Sequence, residues 1–143
     1  FAAGCYGTGL GLLAALLAGV GGNLASWTVH GAAMHGLGAS GVVMGALGLV
    51  AVHSIAHLRK PPGAARIILA SLAGGVMLFT LLGLSPGTDV TAHLGGFLSG
   101  LAIGSLLARL PSSRFVPIIN LAAGLGFAAM VIWTWALALG RIG

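Results

Sequence analysis

Ser40 stands in Gly38-Ala39-Ser40-Gly41, a hydroxyl at the head of an apolar run with glycines that leave its surroundings open. A helix start carries unpaired N–H groups, and such donors can steady a developing oxyanion. The backbone at Ser40 and Gly38 is the candidate for that role. A serine hydroxyl needs a base before it attacks, and neutral imidazole suits that task near neutral pH. His93, in Ala92-His93-Leu94-Gly95-Gly96, is the best-placed base. The plainer account makes Ser40 an N-cap or a small packing residue and His93 a buried histidine bonded to a carbonyl. A histidine inside an apolar span is costly, and that cost is the argument for function.

The remaining polar groups fit other tasks. Asp89 is the only acidic residue and lies four positions before His93, where a helix N-cap belongs. It is expected to cap rather than to orient the imidazole, so the chemistry reads as a Ser-His dyad. His53 and His57 share a helix face but lack a carboxylate or thiolate companion, which suits solvation at an interface better than metal or haem ligation. His30 and His35 fall in a connection, where they either line an approach or face headgroups. Asn23, beside Gly21 and Gly22, is read as a cap or as a bond to a neighbouring span. Cys5 is the only cysteine, so neither an internal disulfide nor a thiolate cluster can form. No metal and no cofactor is implied.

These residues must be positioned by a chain with little polar sequence. It is 58% hydrophobic and 5% charged, with mean hydropathy +1.11. Soluble domains carry about 25% charged residues, so this chain could not cover a water-facing surface. Lipid is the solvent it fits. The net charge of +5 comes from six basic residues, grouped as Arg59, Lys60 and Arg66, then Arg109 and Arg114, then Arg141. They form no continuous basic face, which excludes nucleic acid as a partner and matches the positive-inside pattern of membrane loops.

Five apolar runs are expected to be spans: Gly7 to Ala25, Ser40 to His57, Ala64 to Leu84, Val90 to Ala108 and Phe115 to Leu139. A connection from Ser26 to Gly38 follows the first, and Pro61-Pro62 and Ser85-Pro86-Gly87 break later ones. The runs lack the two-residue alternation of barrel strands, so the predicted fold is all-α, a polytopic transmembrane bundle of five spans. Both basic loops then fall on one side, expected to be cytoplasmic. Ser40 and His93 enter from the other side at similar shallow depth. Gly41, Gly45 and Gly48 in one run and Gly96, Gly100 and Gly104 in another give smooth faces that could press those two helices together.

The motifs resemble those of the rhomboid family of intramembrane serine proteases. Gly38-Ala39-Ser40-Gly41 is similar to the family's Gly-x-Ser-Gly signature, which implies Ser40 as nucleophile. Ala92, His93, Gly96 and Gly100 match its Ala-His-x-x-Gly-x-x-x-Gly pattern, which implies His93 as general base. Gly21-Gly22-Asn23 resembles the end of the helix before the serine loop, and Asp89 an acidic residue often found shortly before the histidine. The resemblance covers residues 1 to about 110 as the last four helices of a six-helix core. It makes residues 115 to 140 an added C-terminal helix, and it puts two earlier core helices, with a His-x-x-x-Asn oxyanion pattern, upstream of Phe1. Met44 occupies a position where the family often has an aromatic residue beneath the histidine.

The function expected is a serine endopeptidase of a lipid bilayer that cuts transmembrane protein substrates near the outer face. The resemblance suggests the cytoplasmic membrane of a bacterium as its location. The alternatives are a catalytically inactive rhomboid-like protein that binds membrane clients, and a haem-binding or transport bundle.

Overall fold

A computed structural model describes residues 6–31, 39–57, 66, 69, 70, 73, 76, 77, 80, 89–109 and 116–140. Its helices are α1 (Thr8–His30), α2 (Ala39–His57), α3 (Val90–Leu107) and α4 (Val116–Gly140). All four are predominantly apolar in sequence, as helices that cross lipid are. Among the described residues the chain is all-α, and it is an integral, multi-pass membrane protein.

The expected count of five spans is corrected. Among the described residues, three helices are long and apolar enough to cross a membrane: Thr8–His30, Val90–Leu107 and Pro117–Gly140. The apolar helix Ala39–Ile55 is shorter. At 1.5 Å per residue it rises about 26 Å, against about 27 Å for Val90–Leu107, a difference of about one residue. The helix α2 as a whole covers the second expected run, Ser40 to His57. Most of the third expected run lies outside the described residues, although Arg66, Leu69, Ala70, Ala73, Val76, Met77 and Thr80 are helical.

The first helix also runs further than its hydropathy suggests. Ser26, Trp27 and His30, expected in a connection, belong to its last turns, and Gly31 ends it at φ 59°. Positive φ is open to glycine without the Cβ clash other residues suffer.

Small residues set the packing. The buried face of α1 is Gly11, Ala14, Ala15, Ala18, Gly19, Gly22 and Ser26, a helical spacing that leaves Leu12, Leu17, Val20 and Leu24 outward. Lipid tails are as apolar as leucine, so helices gain little by hiding large side chains and associate through close backbone contact. Met44 and Leu49 are large apolar exceptions, both fully buried; Leu49 lies with Ala14 and Ala15, flanked by Tyr6, Val42, Ala46, Ile103 and Leu107.

The contacts fix helix directions. Gly96 meets Gly41, Gly100 meets Gly45, and Gly104 meets Leu49 and Val52, so α2 and α3 run parallel. Gly19 faces Val42 while Gly45 faces Ala18 and Ala15, so α1 is antiparallel to α2. Gly22 faces Ala92 and Gly96 while Gly21 faces Ser99, which makes α1 antiparallel to α3 as well. The helix α4 lies parallel to α1, with Asn120 against Gly7 and Gly9 and with Leu13 near Gly126. Asn120 Oδ1 accepts the Leu10 N–H at 2.9 Å, so a neighbouring helix satisfies one of the orphan donors at the head of α1.

Candidate functional site

Parallel packing brings the heads of α2 and α3 to one end of the bundle, beside the last turns of α1. Ser40 is exposed in the first turn of α2. His93 is 2% exposed in the first turn of α3, where its N–H bonds to the Asp89 carbonyl at 3.1 Å. The residues next to them make the approach: a Cβ on Gly41 would lie 3.8 Å from the Ala92 carbonyl oxygen, and one on Gly96 would lie 2.5 Å from the Gly41 carbonyl oxygen. Ser40 precedes Gly41 and His93 follows Ala92, so hydroxyl and imidazole are carried by residues adjoining a single helix crossing. Met44, one turn beyond Ser40, is fully buried. Gly38, the other expected backbone donor, lies outside the described residues, as does His35.

Asp89 caps α3 as its sequence position suggests. Its backbone is extended, and Oδ1 accepts the Ala92 N–H at 2.9 Å. Its second oxygen accepts a bond from the Ser26 hydroxyl of α1. Burial pushes the Asp89 carboxyl up. The Ser26 hydroxyl, the Ala92 N–H, nearby His30 and the Thr91 N–H outweigh it and hold the group below the usual carboxylate range. His30 Nδ1 faces the Ser26 carbonyl at 3.2 Å and the Ser26 hydroxyl oxygen at 3.4 Å. With the hydroxyl proton committed to Asp89, both oxygens accept, so Nδ1 carries the ring proton. No acidic residue lies in the first turn of α2, so the partial positive charge at that helix start is not offset by a carboxylate of its own.

At the opposite end, His53 is half-buried and meets the Tyr6 ring edge-on, with centroids 5.2 Å apart. The Tyr6 hydroxyl donates to the Leu49 carbonyl at 3.0 Å. Among the described residues no three His, Cys, Asp or Glu side chains converge as a metal set would.

The whole arrangement, from Tyr6 through the α3 glycines, falls inside a match to the rhomboid domain over residues 5–110. This chain belongs to the rhomboid family. No curated protein and no solved structure matches it. Rhomboid membership supports a protease-related function in general. The matched stretch holds α1, α2 and α3, while α4 lies beyond it.

Two residues of this rhomboid chain have structural roles beyond those expected from the sequence. Ser26 falls in the expected connection from Ser26 to Gly38, yet a serine four residues before a histidine is a signal that the two share a helix face. Asn120 offers a similar cue, as a lone amide inside an otherwise apolar span.

Proposed function

We propose that the chain is part of an intramembrane serine endopeptidase that hydrolyses peptide bonds of transmembrane proteins. His93 takes the proton of Ser40, and Ser40 Oγ attacks the scissile carbonyl carbon. The Ser40 N–H, with backbone at Gly38, bonds the resulting oxyanion. His93 then gives its proton to the leaving amine as the peptide C–N bond breaks. Water entering from the outer face is deprotonated by His93 and attacks the acyl-enzyme, and the proton returns to Ser40 as the ester opens. The four helices of the family core assigned to residues 1–110, and the accessory place of residues 115–140, belong to the same reading.

The observation that carries it is the crossing of α2 and α3, where Gly41 and Ala92 approach and Ser40 and His93 are the adjoining residues. An exposed hydroxyl and a buried imidazole on residues flanking one crossing suit a nucleophile open to substrate and a base held by its surroundings. The test is labelling of the full protein in liposomes by a fluorophosphonate probe. Wild type should label and Ser40→Ala should not, with the same split in cleavage of a transmembrane substrate. Equal labelling of both would defeat the proposal, and a folded wild type that neither labels nor cuts would favour client binding without catalysis.

A further inference from the structure

Ser26 is 0% exposed in a face otherwise made of glycine and alanine. A hydroxyl buried in that setting is costly unless bonded. Its bond goes to a residue 63 positions away on another helix, the Asp89 carboxylate. That carboxylate also holds the Ala92 N–H, and the Asp89 carbonyl holds the His93 N–H. The cap alone shapes the first turn of α3. The Ser26 bond ties that turn to α1, at a place where a Cβ on Gly95 would lie 2.6 Å from the Ala25 Cβ.

We propose that Ser26 is a positioning residue for His93, acting through Asp89: it holds the turn that carries the imidazole in register with α1 and so with the α2 crossing. The proposal rests on the peptidase reading for its catalytic consequence. Ser26, His30 and Asp89 have the composition of a hydrolytic triad but the wrong proton arrangement. The hydroxyl donates to the carboxylate, His30 Nδ1 donates toward the serine, and the oxygen is wholly enclosed. The cluster therefore links helices rather than attacking a substrate.

The test uses Ser26→Ala, Asp89→Ser and the double variant of the full protein in liposomes. Asp89→Ser keeps a capping oxygen for the Ala92 N–H but has no second oxygen for Ser26. Each single variant should lower kcat roughly ten-fold with KM unchanged, because the loss is of alignment and not of substrate binding. Amide exchange over Val90–Leu94 should quicken in both. The double variant should match either single one, since one link is lost in all three. Wild-type kcat and exchange in Ser26→Ala, or defects that multiply in the double variant, would overturn the proposal. A wild type that cleaves no better than Ser40→Ala defeats the peptidase reading instead, and is recognised separately because exchange over Val90–Leu94 still reports whether Ser26 holds that turn.

Discussion

The Asp89 carboxylate accepts the Ala92 backbone N–H at 2.9 Å, closing the head of α3 one residue before His93. The fold favours the ionised form of this group, since its pKa lies below the ordinary value. A carboxylate of depressed pKa contributes stability that is present above the unfolded value, about pH 4, and is lost as pH falls through the lowered folded value. Asp89 is the one acidic side chain in the chain. Unfolding in mixed micelles should therefore become easier as pH falls below about 4 for wild type, and much less so for Asp89→Asn, whose side chain does not titrate. Parallel pH profiles would remove the assigned role.

Replacing His93 by Asn should lower cleavage by about 10³-fold or more with KM little changed, as removal of a general base does. The variant's thermal unfolding must be followed alongside, because His93 is buried. Ser40 is exposed, so Ser40→Ala should unfold as wild type does.

Gly100→Ala should destabilise the bundle by about 1–3 kcal/mol, the usual cost of forcing an extra methyl into close packing. Its Cβ would collide with the Gly45 carbonyl, a backbone group that cannot step aside. Gly126→Ala is the control. Its nearest neighbour, Leu13 Cδ2, is 3.9 Å away, and alanine's better helix propensity should make the change neutral or stabilising by up to about 1 kcal/mol. Denaturant titration of both variants gives the comparison.

Asn120→Leu should cost about 1–3 kcal/mol by stranding the Leu10 N–H at the head of α1. Asn120→Asp, which keeps the acceptor oxygen, should recover part of that loss. Exchange at the Leu10 amide reads the effect directly.

The sequence revealed most where one residue type has one physical use. Asp89 could be placed as a cap because a lone carboxylate before an apolar run has few other tasks. The ends of α3 and α4 were visible because apolar residues stop abruptly there. The end of α1 was not, since hydropathy falls at Ser26 while the helix continues to His30, its polar groups satisfied by one another and by Asp89. The span count failed on length: among the described residues three helices are long and apolar enough to cross, Ala39–Ile55 is shorter, and most of the third expected run lies outside them. Nothing in the order of residues announced that Ser26 and Asp89 would meet, because that contact depends on how two helices cross.

The reach of α1 bears on the surroundings of Ser40. Gly19 lies level with Val42, yet α1 continues to His30, about 16 Å further at 1.5 Å per residue, whereas Ser40 is only about 3 Å beyond that level. The closing turns of α1, with Trp27 and His30, therefore stand beside that hydroxyl as a helical flank rather than as a loop.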